Sequence, residues 1–216
     1  MPLSTRSVLI ILAVSIAAGA VVRTLDLGQG PWAVSRASGL AAFAVLTLAM
    51  AMGLLVSTKA GDGLFSRPFV FEMHQFLSVV SLTLVAVHAG SLVFDRFLQF
   101  GSADLVVPFV SPYRPLAVGA GVIAGWLAAL ASASYWMRGR LGQKRWRTLH
   151  YVTFVAYLGA LWHGIAAGSD TQLPVVYWGY IGSAALVGSL LAIRVSGYRP
   201  TPKSRAHAGT AREAAG

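Results

Sequence analysis

Four histidines stand where the chain is otherwise apolar. His74 and His88 lie fourteen residues apart in the stretch from Phe69 to Phe94, and His150 and His163 lie thirteen apart between Arg147 and Gly168. Imidazole is the commonest metal ligand and a proton carrier near neutral pH, and in hydrocarbon it is costly enough that an ionisable residue there is a functional hypothesis by default. The fifth histidine, His207, lies in a polar, proline-containing tail and reads as solvated. The chain has no cysteine, which excludes disulfides, iron–sulfur clusters, thiolate zinc sites and c-type haem attachment. The chemistry on offer is therefore imidazole ligation or imidazole proton relay.

The elements that must position these side chains are membrane helices. Of 216 residues 56% are hydrophobic and 11% charged, against about 25% charged in a soluble domain, and the mean hydropathy is +0.67. Six apolar spans can be drawn, over 7–23, 37–57, 69–94, 115–137, 148–168 and 175–195, each near the roughly 20 residues that cross a bilayer. Residues 1–196 form one six-helix transmembrane domain, all-α, followed by a disordered cytoplasmic tail over 197–216. The Ala18-Gly19-Ala20 run resembles a signal-peptidase site, so the first span also reads as a cleavable leader; the remaining topology is the same either way.

The formal net charge of +10 does not point to nucleic acid, because the basic residues cluster between spans rather than among aromatics on one face. With the N-terminus inside, thirteen Lys and Arg fall in inner segments and four, Arg23, Arg36, Arg96 and Arg114, in outer ones. That asymmetry puts both termini in the cytoplasm and makes the chain a multi-pass protein of a bacterial inner membrane. The basic inner loop over 138–147 answers to topology and anionic lipid or to a docked soluble partner. The apolar run Leu105–Val110 is too short to span and lies on the interface or caps the bundle. Gly121-x-x-x-Gly125 reads as close helix packing.

In that topology the third and fifth spans are parallel. His74 and His150 sit near their inner ends, His88 and His163 near their outer ends, and fourteen and thirteen residues amount to roughly 21 and 20 Å along a helix. Two imidazoles facing each other at one depth are a natural axial set for b-type haem, so the pattern predicts two stacked haems. Zinc wants about four close ligands, and no Asp, Glu or Cys accompanies His88 or His163; Glu72 falls on a different helix face from His74. A histidine-based metal or proton transporter and a haem-free structural subunit are the alternatives. One feature resists the ladder: fourteen residues return His74 and His88 to nearly one face, whereas thirteen leave His150 and His163 about 140° apart. Either the fifth helix is irregular, near Gly159, or the two haems approach it from different sides.

The segment LGQKRWRTLHYVTFVAYLGALWHG resembles the fifth helix of the ferric-reductase-like transmembrane domain family, which includes ferric reductases, NADPH oxidases and the haem subunit of a periplasmic methionine sulfoxide reductase. FVFEMHQFLSVVSLTLVAVHAG is similar to that family's other haem-binding helix, and RASGLAAFAVLTLAMAMGLLVS to a second helix of bacterial members. The likeness covers about residues 32–195. It implies an inner haem on His74 and His150, an outer haem on His88 and His163, and electron transfer across the membrane.

The family's ferric reductases and oxidases continue into flavin and nicotinamide domains, and no glycine-rich dinucleotide fingerprint is present here. The expected donor is then a separate cytoplasmic flavoprotein or membrane quinol, with any flavin in the partner, and the outer acceptor is open. Haem propionates need cationic or hydroxyl partners at headgroup level; the candidates are Arg36, Tyr113 and Arg114 outside and Arg67, Arg145 and Arg147 inside.

Overall fold

The computed structural model describes residues 30–58, 65–95 and 98–197. Among them the regular elements are seven helices: α1 (Gly30–Thr58), α2 (Arg67–Leu92), α3 (Ser102–Val106), α4 (Pro115–Leu141), α5 (Gln143–His150), α6 (Val152–Ala167) and α7 (Pro174–Ser196). Four of the described helices, α1, α2, α4 and α7, are long and apolar enough to cross a membrane, and they coincide with the second, third, fourth and sixth expected spans. The first expected span, 7–23, and the tail beyond Gly197 lie outside the described residues. The fifth expected span is not continuous. Tyr151 divides it into the short basic α5 and the 16-residue α6, about 24 Å long.

Local sequence sets the helix limits. A proline in the first turn opens α2, α4 and α7, where its fixed φ suits the helix and its missing N–H has no intrahelical partner to lose. Gly197, at φ 66°, closes α7 in the left-handed conformation glycine adopts without steric cost. Within α1 the hydroxyls of Ser38, Thr47 and Thr58 donate back to the carbonyls of Val34, Phe43 and Leu54. Hydroxyls in an apolar surround are satisfied that way without a partner helix.

The helices associate as two antiparallel pairs. α1 lies along α2, with Ser35 opposite His88, Ala42 opposite Ser81 and Ala49 opposite His74; the α1 side of the seam is small, its buried residues including Ser35, Ser38, Ala42 and Ala49. α4 lies along α6, burying Ala117, Ala124 and Ala131 at seven-residue intervals. Small residues let backbones approach where lipid supplies no hydrophobic drive between helices. α7 packs on α1, and Met50, Leu54, Tyr157 and Val187 close a core from α1, α6 and α7. Large side chains such as Leu116, Val175 and Val195 stay outward, as a lipid-facing surface permits.

The connection from Asp95 to Arg114 does not project away from the bundle. The indole N–H of Trp126 on α4 donates to the Val106 carbonyl at 3.1 Å, and the Phe109 ring fills the space beside Gly119 where a Cβ would stand. Trp126 lies eleven residues into α4, and helical side chains lean toward the N-terminus. The apolar run is thereby folded back along the flank of α4 for about two turns.

Candidate functional site

The four intramembrane histidines meet in two pairs. His74 of α2 faces His150 at the end of α5, with ring centroids 6.1 Å apart and planes at 82°. His88 of α2 faces His163 of α6, with centroids 5.9 Å apart and planes at 76°. The pairs are thus stacked along α2, roughly 21 Å apart by helix rise. Among the described residues no group of three or more His, Cys, Asp or Glu comes together, so each pair offers two imidazoles and no carboxylate.

The thirteen-residue spacing is accommodated at Tyr151, not at Gly159. The Tyr151 N–H donates to the Thr148 carbonyl and the Phe154 N–H to the Tyr151 carbonyl, both spanning three residues instead of four. Residues wound that tightly turn about 120° each rather than 100°, so three or four of them recover about half of the roughly 140° offset expected of a straight helix. His150 is the last residue of α5, just before this junction. Gly159 serves another purpose: a Cβ there would meet the Ala124 Cβ at 3.2 Å and the Ala120 carbonyl oxygen at 3.3 Å, so its absence lets α6 lie against α4.

Three of the four imidazoles are held by one device. His74 Nδ1 lies 2.8 Å from the Ala49 carbonyl oxygen, His88 Nδ1 2.8 Å from that of Ser35, and His163 Nδ1 2.9 Å from that of Ala117. A carbonyl only accepts, so each Nδ1 carries the proton and each Nε2 keeps its lone pair. The Ser35 hydroxyl also donates to the His88 carbonyl at 3.1 Å. His150 differs. Its Nδ1 is buried with no partner among the described residues, and its ring stacks on Trp146 at 5.1 Å and 26°. Arg138 lies over that indole, while Arg194 lies over the Tyr151 ring and donates to its hydroxyl at 3.1 Å.

The polar residues singled out from sequence fall into two sets. At the His88–His163 end, Arg36 pairs with Asp170, the Tyr113 hydroxyl donates to the Ala167 carbonyl at 3.2 Å, and Arg114 donates to the Ala166 carbonyl. Tyr113 and Arg114 thus meet the C-terminal turn of α6, just beyond His163, and Arg36 meets the loop that follows it. At the other end Arg67 opens α2, about two turns before His74, while Arg145 and Arg147 lie exposed on α5. Trp146, Arg194, Asp170 and the backbone carbonyls were not legible as parts of the site, since nothing in their spacing ties them to a particular histidine.

Helices of membrane length carrying facing imidazoles at two depths define a polytopic membrane protein with two matched histidine pairs. Residues 38–161 match the ferric reductase like transmembrane component family, more than half of the 216-residue chain, and the chain belongs to that family. It is a family of transmembrane electron-transfer oxidoreductases whose members typically bind haem. The matched region contains His74, His88 and His150 and stops two residues short of His163. No curated protein and no solved structure matches the chain.

The residues present fit haem. Metal–imidazole bonds run about 2 Å, so two rings with an ion between their nitrogens have centroids roughly 6 Å apart once each ring's own half-width is added. Both pairs have that separation. Two imidazoles per pair, with Nδ1 engaged by a carbonyl on His74, His88 and His163, are a donor set that would suit a haem iron. They do not complete a tetrahedral zinc site.

Proposed function

We propose that this chain conducts electrons one at a time across the bilayer, with His74 and His150 holding a b-type haem at the inner level and His88 and His163 holding a second at the outer level. The observation that carries this reading is the repetition of one facing-imidazole geometry at two depths on α2. When bound, the group supplies reversible one-electron iron chemistry, tuned by its ligands, burial and hydrogen bonds. The chain's own part is to present four Nε2 lone pairs, to hold three rings by their Nδ1 protons, and to exclude water with the apolar core between the pairs.

The Lys and Arg asymmetry supports an arrangement of six spans over residues 1–196, both termini in the cytoplasm and the tail over 197–216 outside the bundle, in a bacterial inner membrane. The basic residues Arg138, Arg140, Lys144, Arg145 and Arg147 then face the cytoplasm beside His150 and suit an acidic flavoprotein donor. A membrane quinol is the second reading for the donor. It is favoured by a cavity of about 310 Å³ lined by Leu55, Val56, Phe65, Arg67, Pro68, Val70 and Phe71, since Val70 lies one helical turn from His74. Propionate partners follow by depth: Arg36, Tyr113 and Arg114 outside, Arg67, Arg145 and Arg147 inside, with Arg194 added on the inner side by its place beside Tyr151.

The test is a reduced-minus-oxidised spectrum of protein purified after haem-replete expression, with haem quantified per chain. Low-spin b-type bands at two haems per chain are expected. A colourless protein that binds no haem on reconstitution sinks the reading and returns the histidines to proton or metal transport or to a structural role.

A further inference from the structure

We infer that Gly39, Gly53 and Gly121 are positioning residues for three of the ligand imidazoles, and that they act by the side chain they lack. This rests on the haem reading above and goes beyond it, to residues on α1 and α4 that touch no iron.

Each histidine that donates through Nδ1 does so to a helix carbonyl, and in every case a glycine stands four residues after the acceptor. His88 uses the Ser35 carbonyl, with Gly39 following; His74 uses Ala49, with Gly53; His163 uses Ala117, with Gly121. The arrangement has a geometric cause. Inside a helix the carbonyl of residue n already accepts the N–H of residue n+4, so a side chain from a neighbouring helix reaches its second lone pair only past the side of residue n+4. A Cβ at that residue blocks the way. Built onto Gly121 it would lie 2.5 Å from His163 Nδ1, onto Gly39 2.7 Å from His88 Nδ1, and onto Gly53 3.0 Å from His74 Cε1. Two of these are closer than Cβ atoms approach anything, and the third is tighter than nearly all real contacts.

The packing glycines Gly125 and Gly159 look different, and the close approaches at Gly119 and Gly164 are to Phe109 and Tyr180 rather than to an imidazole. At Gly125, the partner of Gly121 in the small-residue motif, an added Cβ would meet nothing nearer than Val85 Cγ1 at 3.9 Å, an ordinary contact. At Gly159 the atoms met belong to the neighbouring helix itself and not to an imidazole. His150, whose Nδ1 is unpartnered, has no such notch. The outer pair is therefore held by two notches and the inner pair by one.

The experiment compares wild-type protein with Gly39→Ala, Gly53→Ala, Gly121→Ala and Gly125→Ala by haem content and by redox titration that resolves the two haems. Gly39→Ala and Gly121→Ala, on different helices, should weaken retention of the same haem by about 10- to 100-fold, the usual effect of losing a second-shell partner. What haem they keep should titrate at a higher potential, because an imidazole whose N–H loses its acceptor is a poorer donor. Gly53→Ala should do this to the other haem, and Gly125→Ala should match wild type. In each variant the undisturbed haem reports that the bundle has folded. The inference is overturned if Gly121→Ala behaves as Gly125→Ala does, or if any of the three alters both haems alike, as a packing role would. Wild-type protein without haem overturns the ligand reading and this inference together, whereas silent variants of a two-haem wild type overturn this inference alone.

Discussion

In the proposed site histidine supplies the ligands, and carbonyls set the tautomer of three of the four. With Nδ1 committed to Ala49, Ser35 or Ala117, the ring has one tautomer and one free lone pair, and ring orientation is settled before any metal arrives. The pairing makes a direct prediction: His88→Ala and His163→Ala should lose the same haem, and His74→Ala and His150→Ala the other, each leaving about half the haem of wild type in reduced-minus-oxidised spectra. If His74→Ala and His163→Ala removed the same haem, the pairing would be wrong. A second prediction concerns Tyr157, which is 2% exposed and stacks on Phe43, with a hydroxyl that has no partner among the described residues. Removing an unsatisfied buried hydroxyl while keeping the ring is close to neutral or stabilising, so Tyr157→Phe should melt at or above the wild-type temperature. Tyr157→Ala, which empties the ring site, should cost about 3–5 kcal/mol. A marked loss of stability in the phenylalanine variant would show that the hydroxyl has a partner.

At the scale of elements, the junction between α5 and α6 is where expectation and structure part. The sequence from Arg147 to Gly168 holds no proline, and its apolar character runs through Tyr151 without a break, so a continuous helix was the natural reading and Gly159 the natural place for an irregularity. What interrupts the helix is tertiary: His150 must meet His74 while His163 meets His88, and a straight helix presents them on different faces. A one-alanine insertion directly after Tyr151 would turn α5 by about 100° against α6. It should abolish binding at the His74–His150 pair and spare the His88–His163 pair, which spectral haem quantification would show. Retention of both haems would mean that the junction is not what aligns the rings. The motif at Gly121 carries the same lesson. Read from sequence it is a packing device, yet one of its two glycines faces an imidazole and the other faces ordinary apolar contacts.

For the whole molecule, the proposed orientation and partners both rest on electrostatics. The inner face proposed here holds thirteen of the seventeen Lys and Arg, several of them exposed around α5. A C-terminal fluorescent-protein fusion should therefore fluoresce and an alkaline phosphatase fusion at the same point should be inactive; the reverse result would invert the bundle and exchange the inner and outer assignments. If an acidic flavoprotein docks on α5, its rate of electron delivery should fall steeply as ionic strength rises past about 0.1 M, where the Debye length shrinks to roughly 10 Å. A rate indifferent to salt would favour a membrane quinol at the cavity lined by Val70, one helical turn from His74.

Sequence by itself determined the membrane class, the positions of the four long described helices and the two histidine pairs. Each of these depends on local quantities: apolar run length against bilayer thickness, charge counted between runs, and helix rise between residues of one element. Family membership was legible too, because the Leu141–His150 lead-in and the third span carry it on consecutive residues. Tertiary structure alone decided how the fifth span breaks at Tyr151, which carbonyls hold three of the imidazoles, and why a Cβ at Gly39, Gly53 or Gly121 would crowd a ring. Those features exist only between helices, where the room left by one backbone is occupied by a side chain from another. Four isolated imidazoles in an apolar chain point to chemistry; the neighbouring helices at Ser35, Ala49 and Ala117 decide which nitrogen is free on three of the rings.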